Sequence, residues 1–528
     1  MMDARLDPAL EKNLSVRVVV GDIATRAAQH FGDGLALHDG PVRLSFREVN
    51  QLACRYGQAL ITNGFTQRPV AVMSRNRWPF LVAYFGAAKA GVATMPLNLG
   101  LDAETLAYCL NDAEVTLLLA ERDLFPLAEA VLAKASTIRR VVWFGDDDVA
   151  GRDWEAFLAE GTETEPEVMI DEGDPVQLLY TSGTTARPKG VVTSHLAVTI
   201  TALGAAIQNH LSAADRLLHV LPLYHCADLN ASAIPAFMVG ASNHLMTQFD
   251  PERVAQLAEE EQLTYLFLLP MMWQALLAVP HIEERNFSAV RRAVFAMAPM
   301  PDEWIAEIAR TFPNAAVLLG SGQTEFTPPT TFQHPSHQGI KSASWGPPVL
   351  TVDARIMNDD GELLEPGQVG EIVYRGGHAM TEYLHHPEAT AEAFRYGWFH
   401  SGDMGWIDEE GVIWFADRKK DLVKTGGENV SSIEVERCLL THPAVQDASV
   451  IGLAHPYWGE AVTAVVMLKP EARATEEDIL TFCKSHLAGF KVPKQVIFVD
   501  QFPRTGTGKI QKHVLRDRYR TSYTATDT

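Results

Sequence analysis

Through the middle of the chain, short apolar runs alternate with amphipathic stretches. The runs Val176–Leu179, Leu218–Leu221, Tyr265–Leu269, Arg292–Phe295 and Ala316–Leu319 read as buried strands. Helical patterns, such as those from His195 onward and over Asp302–Thr311, lie between them. Strands alternating with helices of this length predict α/β layers around a largely parallel sheet. The most apolar stretch, Leu263–Pro280, is broken by Pro270 and Gln274 and falls short of the roughly 20 residues a membrane span needs. It reads as a buried strand followed by a core helix. Beyond about residue 345 the texture turns to β-prone runs separated by the turn signals Asn358-Asp359-Asp360-Gly361 and Asp408-Glu409-Glu410-Gly411. A third texture follows Leu422: helix Ser432–Leu440, strands Ala448–Leu453 and Ala461–Leu468, helix Thr475–Leu487, strand Gln495–Val499. This predicts an α+β unit of about 110 residues, large enough to fold alone. The charged cluster Asp417-Arg418-Lys419-Lys420-Asp421 marks the expected boundary. The expected fold is therefore α/β: a large N-terminal domain over 1–419, of layered α/β/α subdomains with a β-rich subdomain from about 345, and a small α+β C-terminal domain over 420–528.

Composition narrows the functional classes. With 44 basic and 66 acidic residues the net charge is −22, so the overall field repels nucleic acid and anionic membrane surfaces. An anionic ligand must be held by local groups. The five cysteines, Cys54, Cys109, Cys226, Cys438 and Cys483, are far apart, odd in number and never in a CxxC pair, which disfavours a disulfide framework and a zinc site alike. The N-terminus lacks the basic segment and apolar run of a secretory signal. The expectation is a soluble, cytoplasmic protein with no transmembrane segment.

The richest local chemistry follows the strand Val176–Leu179. Tyr180-Thr181-Ser182-Gly183-Thr184-Thr185-Ala186-Arg187-Pro188-Lys189-Gly190 concentrates hydroxyls, glycines and two cations. Gly183 and Gly190 permit close backbone approach, hydroxyls and amides donate to phosphate oxygens, and Lys189 supplies charge. Pro188 and Gly190 stand where a Walker A loop needs Gly and Ser or Thr, so this is a different phosphate cradle. The segment resembles the phosphate-binding signature of the adenylate-forming superfamily, which includes acyl-CoA synthetases, luciferases and the adenylation domains of peptide synthetases. Ala186 stands where that family usually has Gly.

Three further motifs follow in family order. Gly320-Ser321-Gly322-Gln323-Thr324-Glu325 resembles the signature in which Thr contacts the α-phosphate and Glu helps hold Mg²⁺, and a carboxylate is a suitable hard ligand for that ion. Ser321 replaces the aromatic residue that the family commonly sets against adenine. Trp398-Phe399-His400-Ser401-Gly402-Asp403 resembles the ribose-binding turn, and Arg418 matches the arginine that also reaches ribose. Pro503-Arg504-Thr505-Gly506-Thr507-Gly508-Lys509-Ile510 resembles the C-terminal catalytic lysine loop.

What the resemblance implies is an ATP-dependent acid–CoA ligase of the acyl-CoA synthetase type, with ATP, Mg²⁺ and coenzyme A as cofactor and co-substrates. Lys509, Thr324, Glu325 and His225 are its catalytic candidates. ATP falls to Thr181, Ser182, Gly183, Thr184, Thr185, Lys189, Ala298, Pro299, Ser321, Gly322, Gln323, Thr324, Asp403, Arg418 and Lys509, and the metal to Glu325. Lys420 matches a hinge about which the small domain rotates between half-reactions, and Gly426 and Gly427 match a loop lining the pantetheine tunnel. Tyr224, His225 and Met297 match the acyl pocket. No pocket residue announces a cation for a second substrate charge, so the expected substrate is a mostly apolar carboxylic acid, fatty, alicyclic or aryl. Three alternatives stand beside this reading. A stand-alone acyl-AMP ligase would load a carrier protein in trans, a luciferase-type oxygenase shares the motifs, and a catalytically silent nucleotide-binding regulator would lack Glu325 or Lys509. Self-association as a homodimer is left open.

Overall fold

Apolar β-branched runs bounded by turn residues become the strands of four sheets, and a contiguous apolar segment supplies the layer between the two largest. The computed structural model describes residues 6–145, 148–181, 187–296, 300–504 and 510–523. The chain divides into two compact units, Met1–Ala354 with Tyr374–Phe399, and Arg355–Val373 with His400–Thr528.

The first unit holds an eight-stranded sheet in the order Thr331–Phe332, Ala316–Ser321, Arg292–Ala296, Tyr265–Phe267, Arg216–His219, Ser242–Leu245, Leu35–Asp39, Val42–Ser45. Its six inner strands run parallel and its two edges antiparallel. A seven-stranded sheet follows the order Glu382–Tyr383, Lys189–Ser194, Pro175–Thr181, Thr94–Pro96, Val70–Met73, Leu117–Glu121, Arg140–Phe144. The helix Trp78–Lys89 is apolar on every side and buried from Pro79 to its end. It shares one core cluster with Val70 and Val72 of one sheet and Leu37 and Leu245 of the other. A helix without a polar face is stable only between two such surfaces. Its last residue, Lys89, is fully buried and keeps its charge paired, with Nζ 2.6 Å from Glu165 Oε2.

The expected elements are largely present. Helices Asp302–Thr311 and His195–Gln208 follow their strands, and Leu263–Pro280 resolves into strand Tyr265–Phe267 and helix Pro270–Leu277. Among the described residues no helix is long and apolar enough to cross a membrane. Between the glycine and hydroxyl segment and helix His195–Gln208, Lys189–Ser194 is a strand that folds back antiparallel on Pro175–Thr181, with Lys189 opposite Thr181. The run Val191-Val192-Thr193 is β-branched, and such residues favour the extended strand.

The second unit contains a four-stranded sheet in the order Asp353–Met357, Gly370–Arg375, Phe399–Ile407, Ile413–Arg418, and a five-stranded sheet built on the long antiparallel pair Val445–His455 and Gly459–Leu468. Helix Ser432–Leu440 packs on this pair through Val435 and Leu439. The division by contacts falls elsewhere than the boundary expected at 419/420, because the β-rich sheet groups with the C-terminal segment. Ser431 Oγ donates to the Ala416 carbonyl at 2.8 Å and Ser432 N donates to Asp417 Oδ2 at 2.5 Å, tying the start of the helix to the strand before it.

Candidate active site

In the eight-stranded sheet the candidate residues follow the carboxyl ends of parallel strands, where open α/β sheets place their ligands. Ser321 ends the strand Ala316–Ser321 and pairs with Thr331, and its carbonyl also accepts from Thr330 N at 2.8 Å. Gly322 is required next, because a Cβ there would lie 2.5 Å from Pro328 Cβ. Gln323 is extended and leads into a 3₁₀ turn, Thr324–Phe326. Phe326 anchors the turn from below, its ring against Tyr374, His378 and Phe399 at centroid separations of 5.2, 5.9 and 5.3 Å. Beneath it, His378 Nδ1 contacts the Thr327 carbonyl at 3.0 Å and Nε2 contacts Thr351 Oγ1 at 2.6 Å. A carbonyl only accepts, so Nδ1 carries the proton and Nε2 accepts from Thr351. Burial pushes this histidine down to about 4, so it stays neutral.

The turn aims Thr324 and Glu325 at side chains from three other segments. Tyr383 donates its hydroxyl to Glu325 Oε1 at 3.1 Å, and its ring lies 5.2 Å from Lys189 Nζ. Burial, and then the charge of Glu325, push the Tyr383 phenol up, so it remains a donor. No other described residue takes up Glu325 Oε2. Thr324 Oγ1 is 3.4 Å from Cys226 Sγ, which is 3.7 Å from His225 Nδ1. His225 caps the short helix Cys226–Asp228, accepting from Ala227 N at 3.3 Å. The fold thus joins Lys189, Glu325, Thr324 and His225 in one contiguous run through Tyr383 and Cys226. Tyr224, one residue before, is half-buried against the core formed by the buried helix and its neighbours.

Thr181 and Lys189 face each other across the antiparallel pair, and Tyr180 and Arg187 both contact helix Ala103–Asp112. Tyr180 donates to Asp112 Oδ2 at 2.6 Å, and the Arg187 guanidinium lies 4.9 Å from the Tyr108 ring. Ser182, Gly183, Thr184, Thr185, Met297, Ala298, Pro299 and Lys509 lie outside the described residues.

In the second unit, Asp403 and Arg418 are register partners on adjacent antiparallel strands, with Arg418 Nε 2.8 Å from Asp403 Oδ1. Asp403 is buried and Arg418 partly exposed. Gly402 sits in the left-handed region, φ +71°, and donates its N–H to Glu371 Oε1 at 3.0 Å. Glu371 also meets His400 Nδ1 and Lys419 Nζ, each at 3.1 Å. Burial alone would raise the Glu371 carboxyl, but the His400 hydrogen bond and the Lys419 charge hold it below its ordinary value. Lys420 is exposed in the turn after Arg418, which Arg516 fastens through the Asp421 carboxylate. Gly426 and Gly427, φ +59° and +87°, make the two-residue turn between strands Val423–Thr425 and Glu428–Val430. A hairpin turn of this kind needs positive φ at both positions. Gly426 also lies close to Trp458, 3.1 Å from where a Cβ would stand.

Sequence reasoning missed Tyr383 and Glu371. Both act on a motif residue from a segment far along the chain, and neither stands in a dense local motif. A surface depression lined by Arg216, Thr264 and Arg291 opens at the other, amino-terminal ends of the strands and does not include the candidate residues.

The family model described as "AMP-binding enzyme" matches residues 24–384, and that described as "AMP-binding enzyme C-terminal domain" matches 434–509. The chain is 33% identical over 505 residues to a feruloyl-CoA synthase from an Amycolatopsis species, covering 95% of this chain and 99% of that protein. It is 34% identical over 480 residues to a long-chain-fatty-acid–CoA ligase from Mycobacterium tuberculosis, covering 90% and 93%. The crystal structure of ATP-bound MatB from Rhodopseudomonas palustris superposes with a TM-score of 0.86 at 30% identity, over 96% of this chain and all of that one.

Proposed function

The chain belongs to the AMP-binding enzyme family and is an ATP-dependent acid–CoA ligase, and we propose the following roles for its residues. In the first half-reaction a substrate carboxylate oxygen attacks the α-phosphorus of ATP and pyrophosphate leaves, giving the acyl-adenylate. In the second, the CoA thiol attacks the acyl carbonyl and AMP leaves. The first step brings two anions together, so its barrier is largely electrostatic and fixed cations and donors lower it.

Lys189 and the hydroxyls and amides of Thr181, Ser182, Gly183, Thr184 and Thr185 hold the β- and γ-phosphates. Thr324 donates to the α-phosphate. Glu325 is suited to Mg²⁺, since Tyr383 takes Oε1 only and leaves a hard carboxylate oxygen for the ion. When bound, Mg²⁺ neutralises phosphate charge and that of the departing pyrophosphate. Asp403 accepts from the ribose hydroxyls, with Arg418 fixing its carboxylate. Ala298, Pro299, Ser321, Gly322 and Gln323 border adenine. Lys509 bridges the attacking carboxylate and the α-phosphate. Lys420 serves as the hinge, and Gly426 and Gly427 leave room for the pantetheine arm. His225 and Tyr224, with Met297, shape the acyl pocket.

The observation that carries this assignment is the run Lys189, Tyr383, Glu325, Thr324, Cys226, His225, which sets a cation, a metal-suited carboxylate and an α-phosphate donor beside the acyl-pocket residues. The segment entering that pocket buries Val220, Leu221, Leu223 and Cys226, and the two relatives above are named for ferulic and long-chain fatty acids. An apolar monocarboxylate is therefore the proposed substrate class. The test is acid-dependent ATP–pyrophosphate exchange, then CoA thioester formation, across alkyl and aryl acids. Exchange and thioester with at least one apolar acid are expected. Absence of exchange with every acid overturns the reading, and exchange without a thioester would assign the acceptor to a carrier-protein thiol.

A further inference from the structure

Away from these residues, His38 and His244 are register partners on the adjacent parallel strands Leu35–Asp39 and Ser242–Leu245. Their Nδ1 atoms are 3.1 Å apart. Glu261, just after helix Pro251–Glu260, places Oε1 3.6 Å from His38 Nδ1 and Oε2 3.9 Å from His244 Nδ1. The Glu261 backbone is pinned, its carbonyl accepting from Arg216 Nη1 at 3.3 Å. His38 Nε2 lies 3.1 Å from the Gly40 carbonyl, which can only accept, so the proton of the neutral ring sits there and Nδ1 presents a lone pair. His244 Nε2 is 3.2 Å from Ser242 Oγ, a partner for its own N–H. Two imidazole nitrogens and a carboxylate oxygen then lie within 4.8 Å of one another.

We propose that His38, His244 and Glu261 bind a divalent transition-metal ion of the Zn²⁺ class, which clamps two neighbouring strands to the end of a helix. The His38 Nδ1–His244 Nδ1 and His38 Nδ1–Glu261 Oε1 separations of 3.1 and 3.6 Å bracket the edge of about 3.4 Å that a tetrahedron has when metal–ligand bonds are about 2.1 Å, and the second carboxylate oxygen, Oε2, lies 3.9 Å from His244 Nδ1. Two imidazoles and a carboxylate suit Zn²⁺ and leave a fourth position for water. Each imidazole has its second nitrogen hydrogen-bonded, the outer-shell arrangement that fixes tautomer and ring orientation at metal sites. The side chains are 13%, 2% and 25% exposed for His38, His244 and Glu261, so the site is sheltered yet reachable. Arg43 Nη1, 3.4 Å from both Glu261 Oε1 and the His38 Nδ1 lone pair, is the one competing cation among the described contacts, and it belongs to an exposed side chain free to withdraw.

The test uses tag-free, metal-stripped full-length protein dialysed against ZnCl₂, with bound zinc counted by mass spectrometry. One zinc per chain is expected. His38→Ala and Glu261→Gln each weaken binding at least about tenfold. Arg43→Gln tightens it, a gain that a misfolded variant does not produce, and His281→Ala, in the exposed group His281, Glu283, Glu284, leaves it unchanged. Cobalt(II) in place of zinc gives ligand-field bands of nitrogen and oxygen ligation without thiolate charge transfer. Absence of stoichiometric zinc, equal binding by the His38 and Glu261 variants, a failure of Arg43→Gln to tighten binding, or a thiolate band overturns the proposal. In the first of these outcomes the two imidazoles simply share a proton, His244 Nδ1–H donating to His38.

Discussion

Tyr383→Phe isolates one hydroxyl. The phenol ring is not held by that hydroxyl: Glu382 and Tyr383 pair antiparallel with Val192 and Val191, Thr381 N and Leu384 N donate to the Val192 and Gly190 carbonyls at 2.8 Å, and Tyr383 N donates to Thr390 Oγ1 at 3.0 Å. The phenylalanine ring therefore stays beside Lys189, and only the bond to Glu325 Oε1 is lost. A hydrogen bond to a charged group contributes about 1.5–3 kcal/mol. At 1.4 kcal/mol per decade this is about ten- to a hundredfold, which is also the usual effect of removing an outer partner of a metal-binding carboxylate. The expected loss of that size is in kcat/KM of ATP–pyrophosphate exchange at limiting Mg²⁺. Titration with Mg²⁺ should show a raised half-saturation point and a partly recovered rate at high concentration, with little change in thermal stability. A variant within twofold of the parent at every Mg²⁺ concentration refutes the role given to Tyr383 and weakens that of Glu325.

Two other predictions concern separate parts of the molecule. His195 and His378 are both buried, and burial pushes each down to about 4. Below about pH 6.5 the unfolded chain takes up protons there that the folded chain refuses, so this stability is complete above about 6.5 and is lost as the pH falls toward 4. The difference amounts to about 3 kcal/mol per histidine. Urea denaturation across that range should show the decline, and His378→Gln should flatten its share of the slope; an equally steep slope in the variant contradicts the assignment. Lys509→Ala should abolish ATP–pyrophosphate exchange while a synthetic acyl-adenylate still reacts with CoA, and equal loss of both steps would refute a role confined to adenylation.

What could be read from the chain was local. The 3.6-residue periodicity of Asp302–Thr311 and Ser432–Leu440 and the apolar strand runs carry their own signal, and the structure keeps those helices to the residue. Motif chemistry singled out Thr324, Glu325, Asp403 and Arg418 from the same local signal. What was not legible depends on partners distant in sequence. Tyr383 meets Glu325 across 58 positions and Lys89 meets Glu165 across 76. Nothing in either neighbourhood marks such a pairing. The antiparallel return of Lys189–Ser194 was hidden because Gly190 reads as part of a loop, whereas pairing of Gly190 with Tyr180 and of Val191 with Leu179 makes this run strand. The ties between the β-rich sheet and the C-terminal segment likewise include hydrogen bonds from Ser431 and Ser432 that no composition shift announces.

The central claim is that a carboxylate oxygen of the substrate becomes bonded to the α-phosphorus and remains there when the thiol takes the acyl group. Incubating the enzyme with ATP, CoA and an accepted acid labelled with ¹⁸O in both carboxylate positions, then weighing the released AMP by mass spectrometry, tests this directly. AMP carrying one ¹⁸O, with unlabelled pyrophosphate, is the predicted result; unlabelled AMP, or label in ADP or orthophosphate, would contradict it.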